Sequence, residues 1–167
     1  YKGFQLKGHT VGIVGCGGIG RRVGALCHAF GCTVLGCDPF LTQDILPDYI
    51  ELLPLEELAE RSDIITVHLK DSPATEKIMN AKIFKKMKKT AFLINTSRGA
   101  VIDEEALIQA LRDGEIAGAG IDVFNSEPIA SDHPYFEMGD RVVITPHIAG
   151  ATWDAITNHT RQFVTDV

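Results

Sequence analysis

The sequence predicts an α/β fold, a doubly wound parallel sheet, and three observations carry that prediction. Apolar, strand-like runs alternate with helical patterns along the chain, as in repeated βα units. The glycine-rich stretch Gly15-Cys16-Gly17-Gly18-Ile19-Gly20 separates the first apolar run from the first helical pattern. No composition shift, repeat or linker divides the chain, so its 167 residues read as one domain.

The elements follow in order. Val11, Ile13 and Val14 mark a first strand near Thr10–Gly15, and a helix is expected near Gly18–Phe30. Thr33–Cys37 is a second strand, followed by a loop containing Pro39 and Pro47. Pro54 to Glu60 reads as a short helix with proline at its start. A third strand is expected at Asp63–His68, a short helix at Asn80–Met87 and a fourth strand at Ala91–Asn95. Asp103 then reads as an N-cap, with Glu104 and Glu105 in the first turn and Gly114 beyond the helix end. Leu107, Ile108 and Leu111 give that helix its apolar stripe. Ile116–Phe124 and Val142–Thr145 are the fifth and sixth strands, and Ala151 to Val167 reads as a last helix.

The glycine stretch matches a dinucleotide fingerprint in its correct setting, between a strand and a helix. Gly15 permits the tight turn, Gly17 lets backbone approach a pyrophosphate, and Gly20 lets the helix pack close to the strand. Gly18 and Ile19 open the helix, whose free N–H groups and positive dipole end attract phosphate. Asp38 follows Gly20 at about the 20-residue spacing of a carboxylate that accepts ribose hydroxyls. Beside a 2′-phosphate the same carboxylate repels, so Asp38 points to NAD over NADP. Arg21 and Arg22, one turn into the helix, read either as phosphate contacts or as ordinary surface arginines.

Composition narrows the classes. A net charge of −6 argues against a general nucleic-acid partner. No apolar run is long enough to span a bilayer, which argues against a membrane partner. Cys16, Cys27, Cys32 and Cys37 contain no CxxC pair, so no metal site is expected. They read as small buried hydrophobes in a reducing cytoplasm. Lys82, Lys85, Lys86, Lys88 and Lys89 surround Ile83, Phe84 and Met87, and read as a solvated helix face.

Ligands of an open parallel sheet bind beyond the carboxyl ends of its strands. Arg98 follows the fourth strand, Asp122 lies in the fifth with Glu127 just after it, and His147 follows the sixth. Arginine offers a planar fork to a carboxylate. A carboxylate beside an imidazole favours its protonated form. Together these residues suit a carboxylate substrate and the movement of one proton.

At these residues the chain resembles the cofactor-binding domain of the D-isomer-specific 2-hydroxyacid dehydrogenases. The matching stretches are Gly8 to Gly20, Asn95-Thr96-Ser97-Arg98-Gly99-Ala100-Val101-Ile102-Asp103, Gly120 to Phe124 running on to Glu127-Pro128, and Thr145-Pro146-His147-Ile148-Ala149-Gly150. The resemblance implies a Rossmann-type fold, NAD as cofactor and interconversion of a 2-hydroxy and a 2-oxo acid. It gives Arg98 the substrate carboxylate, His147 the proton and Glu127 the pairing of that histidine. It gives Asp122 the nicotinamide carboxamide and sets His68 and Thr96 beside the cofactor. Glu127, where a glutamine would mark the formate-oxidising branch, argues against that branch.

Two departures stand out. After the third strand the family commonly has His-Leu-Pro and an apolar residue, whereas this chain has His68-Leu69-Lys70-Asp71. Residues 1–167 also read as the cofactor lobe alone, the substrate lobe lying outside them. The resemblance implies a homodimer, and the cysteine usage a cytoplasmic location. The alternative reading is an NAD-sensing interaction module, as in transcriptional corepressors of the same fold.

Overall fold

The computed structural model describes residues 3–155 and Thr157. Seven strands form one sheet: β1 (Thr10–Val14), β2 (Thr33–Cys37), β3 (Ile50–Leu52), β4 (Ile64–Val67), β5 (Phe92–Asn95), β6 (Gly118–Ile121) and β7 (Val142–Ile144). Their spatial order is β3-β2-β1-β4-β5-β6-β7, and every neighbouring pair is parallel. This is the doubly wound, Rossmann-type sheet expected from the sequence, with its reversal of order at β1. Val11 through Val14 are all buried, the continuous apolar run of a strand covered on both faces.

Helices cover the two faces. α1 (Gly18–Ala29) lies on one face, where Gly24 sits against Ile13, Val34 and Ile50. α2 (Leu55–Arg61), α3 (Ala81–Phe84) and α4 (Glu104–Asp113) lie on the other. Their Leu58, Phe84, Leu107 and Leu111 join Val14, Leu35, Ile65, Val67 and Leu93 in the larger core. Asn80 caps α3 by accepting from the Lys82 N–H at 3.0 Å, and Asp103 caps α4 by accepting from Ala106. Gly114 ends α4 in the left-handed conformation, as its position beyond the last helical residue predicts.

The structure corrects the sequence expectation in the segment after Asp38. Gln43–Ile45 forms a 3-10 turn and Ile50–Leu52 forms β3, where a loop was expected. Three residues carry too little periodicity to announce a strand. β3 exists because its backbone pairs with Val34, Leu35 and Gly36 of β2. Its outer edge is occupied by the Gln43 amide, which donates to Ile50 O and accepts from Leu52 N, both at 2.8 Å. Other elements are shorter than expected: the helix after Asn80 stops at Phe84, and the strand expected over Ile116–Phe124 covers Gly118–Ile121. Most of the helix expected over Ala151–Val167 lies outside the described residues.

Cys16 and Cys32 are buried and all four thiols are free. Burial, then the Asp38 charge, pushes the Cys16 thiol up to about 11. Two lysines of the basic cluster are paired, Lys86 with Glu60 at 2.6 Å and Lys88 with Asp63 at 2.8 Å.

The glycine turn separates what the fold requires from what a ligand requires. A Cβ at Gly20 would lie 2.0 Å from the carbonyl oxygen of Gly15, whereas a Cβ at Gly17 would meet nothing within 4 Å. Gly20→Ala is therefore expected to lower stability by about 2 kcal/mol or more through overpacking. Gly17→Ala should stay within about 0.5 kcal/mol of the native value. Thermal melts of the two variants check the contrast.

Candidate active site

The site is assembled along the edge where the carboxyl ends of β1, β2, β4, β5, β6 and β7 meet. At its β1–β2 end the chain turns at Gly15, with φ +94°, and enters α1. Among the described residues no side chain caps α1, and its first turn holds no acidic residue. Its first N–H groups and positive dipole end are thus left for an anion. The open space above Gly17 and Gly18 lets a pyrophosphate approach them. Ile19 stands 69% exposed beside this turn, an apolar side chain set at the mouth of the site.

Asp38 is anchored at the end of β2. Its Oδ2 accepts from the Cys16 N–H and its Oδ1 from the Phe40 N–H, each at 3.0 Å. Each oxygen keeps a lone pair for a ribose hydroxyl. His68, just beyond β4, is half-buried, with Nε2 3.0 Å from the Thr66 hydroxyl. Burial holds its imidazole below the usual histidine range. Its backbone carbonyl packs against Gly15, where a Cβ would lie only 2.7 Å away. These residues fit a dinucleotide.

At the other end, a buried asparagine builds the turn that presents Arg98. Asn95 is 1% exposed. Its Oδ1 accepts from Ser97 N and Ser97 Oγ at 3.0 and 2.9 Å, and its Nδ2 donates to Arg98 O at 2.9 Å. Gly99 then allows a close approach, since a Cβ there would lie 2.2 Å from the Phe124 carbonyl carbon. That approach sets the exposed Arg98 beside the segment that carries Glu127. Thr96 is exposed at the end of β5.

Glu127 and His147 meet. Their Oε2 and Nδ1 atoms are 2.8 Å apart, and Glu127 Oε1 accepts from Phe124 N at 3.1 Å. The His147 hydrogen bond, then that of Phe124, holds the Glu127 carboxyl below the usual range. The His147 side chain is 49% exposed and that of Glu127 39%. A pair so open adds little stability, so its geometry points to chemistry. With Nδ1 turned to Glu127, Nε2 is left to exchange a proton. Arg98, Glu127 and His147 line one cleft of about 320 Å³, together with Asp71, Gly99 and Phe124.

Asp122 stands behind this cleft, 3% exposed. Its Oδ1 accepts from the Thr145 hydroxyl and, at 2.9 Å, from Ile148 N; its Oδ2 accepts from Ala149 N at 2.9 Å. These bonds grip the chain on both sides of His147, whose φ is +54°. A left-handed non-glycine residue costs about 1 kcal/mol or more and persists where its surroundings fix it. Asp122 supplies that fixing. Asn95 and Thr145 were not singled out from sequence as site residues. The signal for Asn95 is a polar residue ending an apolar strand two places before a serine, the pattern of an Asx turn.

Burial opposes ionisation of Asp122, but the hydrogen bonds from Thr145, Ala149 and Ile148 prevail and lower its pKa. A carboxyl lowered on folding contributes stability that is complete above about pH 4 and lost as pH falls through the folded value. Asp122→Asn should therefore be less stable at pH 7, and its deficit should shrink as the pH falls from about 4 to 2. Denaturant unfolding of both forms across that range measures this.

Comparison with known proteins identifies the family. The family model for the D-isomer specific 2-hydroxyacid dehydrogenase NAD binding domain matches residues 1–149. A glyoxylate reductase of Thermofilum pendens is 42% identical over 156 residues, covering 92% of this chain and 45% of that protein. A D-3-phosphoglycerate dehydrogenase of Methanocaldococcus jannaschii is 38% identical, covering 93% of this chain and 30% of that protein. The chain thus spans less than half the length of these two relatives. The NAD-complexed structure of a D-isomer specific 2-hydroxyacid dehydrogenase from Lactobacillus delbrueckii ssp. bulgaricus superposes with a TM-score of 0.87 at 32% identity, covering 98% of this chain and 53% of that one. The chain is thus an NAD-binding domain and belongs to the D-isomer-specific 2-hydroxyacid dehydrogenase family.

Proposed function

We propose that this chain is the cofactor lobe of a dehydrogenase that interconverts a D-2-hydroxy acid and a 2-oxo acid. The observation that carries the reading is the His147–Glu127 pair, 2.8 Å apart, in one cleft with Arg98. Bound nicotinamide supplies or accepts the hydride at C2 of the substrate. Arg98 holds the substrate carboxylate through its guanidinium fork and polarises the 2-oxo group. In reduction His147 Nε2 donates a proton to the carbonyl oxygen; in oxidation it removes the hydroxyl proton. Glu127 stabilises the imidazolium and keeps Nδ1 turned away from the substrate.

Gly15, Gly17, Gly18, Ile19 and Gly20 cradle the pyrophosphate, and Asp38 takes the ribose hydroxyls. His68, Thr96 and Asp122 border the nicotinamide half. A homodimer and a cytoplasmic location belong to the same reading. Among the described residues, no helix is long and apolar enough to cross a membrane.

Two measurements test this reading in the full-length protein that carries the chain. NADH oxidation is assayed against glyoxylate, hydroxypyruvate, pyruvate and phosphohydroxypyruvate, and one of them should be turned over rapidly. His147→Ala should reduce that turnover by about 10²- to 10⁴-fold and leave NADH affinity near native. Unchanged turnover would remove His147 from the mechanism, and NADH binding without turnover of any acid would favour the sensing module. Titration with NADPH in place of NADH should give binding at least about tenfold weaker, because Asp38 repels the 2′-phosphate. Asp38→Asn should narrow that gap.

A further inference from the structure

The cleft that holds Arg98 and His147 has another charged wall. Asp71 lines it, and from Asp71 a second depression of about 480 Å³ continues over Ser72, Pro73 and Glu76. Among the described residues, Arg98 is the only lysine or arginine lining the two hollows, and in the proposed function it is taken up by the substrate carboxylate. Lys70 lines neither.

Asp71 is held in place by its neighbours. The Thr75 hydroxyl donates to Lys70 O at 2.6 Å and accepts from Ser72 N at 3.0 Å, bracketing Asp71 on both sides. The segment is then bound to the strip beyond Arg98: Lys77 N donates to Ala100 O at 2.8 Å, and Met79 N donates to Val101 O at 3.1 Å. Asp71 and Arg98 thus stand on joined backbone, facing one space.

This is where the sequence departs from the family pattern, with Lys70-Asp71 in place of proline and an apolar residue. An apolar side chain is indifferent to charge on a substrate's far end. A carboxylate is not: it repels an anion across the cleft and accepts a hydrogen bond from a donor.

We propose that Asp71 is a specificity-determining residue that meets the end of the substrate remote from its carboxylate. It selects 2-oxo acids ending in a hydrogen-bond donor, a hydroxyl or a cation, and rejects those ending in phosphate. The proposal rests on the reading of this cleft as a 2-oxo acid site.

The test measures kcat and KM of the full-length protein with NADH and four acids: hydroxypyruvate, 5-guanidino-2-oxopentanoate, phosphohydroxypyruvate, and pyruvate, whose far end is an uncharged methyl group, as the reference. The native protein should favour one donor-bearing acid over phosphohydroxypyruvate by about tenfold or more in kcat/KM. Asp71→Asn should raise kcat/KM for phosphohydroxypyruvate about tenfold, through KM, and move pyruvate less than about twofold. Asp71→Lys should invert the order. Asp71 is exposed, so both variants should melt as the native protein does. A loss in Asp71→Asn confined to hydroxypyruvate identifies a hydroxyl as the donor, and one confined to the guanidino acid identifies a cation; both support the proposal. A native preference for phosphohydroxypyruvate, or ratios unchanged in both variants while pyruvate is still reduced, overturns it and leaves the 2-oxo acid reading standing. Intact NADH binding with none of the four acids reduced overturns that reading and this proposal with it.

Discussion

Parallel pairing across the whole sheet is the constraint on which everything else in this molecule depends. A parallel strand must return to its starting end before it can pair, so every carboxyl end falls on one edge. Gly15, Asp38, His68, Arg98, Asp122 and His147 are far apart in the chain and neighbours along that edge. The order β3-β2-β1-β4 adds a second consequence. From β1 the chain steps outward to β2 and β3, and then returns to place β4 on β1's other side. The connections on either side of β1 leave in opposite directions, and a crevice opens between them. The free N-terminus of α1 points into that crevice with no side chain to quench it.

Two buried polar residues turn this edge from a row of loop starts into a site of fixed geometry. Asn95 ends β5 and Asp122 directly follows the adjacent β6, and each spends its side chain on the backbone of the loop it supports. A buried polar group left unpaired costs about 1–3 kcal/mol. The loops therefore cannot move without exposing that cost. Arg98 and His147 inherit this rigidity although both are open to solvent. The division of labour is physical: buried groups hold the geometry, and exposed groups are left to meet a ligand.

The charge along the edge is uneven. The β1–β2 end offers helix N–H groups, suited to an anionic pyrophosphate, with one anchored carboxylate beyond them. Among the described residues, the β5–β7 end offers one guanidinium beside Asp71, Glu127 and the more deeply set Asp122. A ligand spanning both ends must therefore carry its negative charge at defined places.

Much of this was legible from residues in order. Gly15, Gly17 and Gly20 between an apolar run and a helical pattern announced the turn. Asp103 and Gly114 marked the ends of α4, and the motifs around Arg98, Glu127 and His147 carried the family resemblance. These signals are local: a cap, a turn or a spacing depends on residues near one another in the chain. β3 was invisible because three residues gain their identity from hydrogen bonds to β2, not from their own pattern. The meeting of Glu127 with His147, 20 residues apart, was expected from resemblance, but its 2.8 Å geometry follows from the pairing of β6 with β7 and the grip of Asp122. The place of Asp71 in the Arg98 cleft was decided by backbone bonds between residues 77–79 and 100–101. The sequence by itself determined the order of elements, the nucleotide turn and the kinds of residue available for chemistry. Only the tertiary structure decided which of them face one another, because proximity across a parallel sheet is set by strand order and register rather than by distance along the chain.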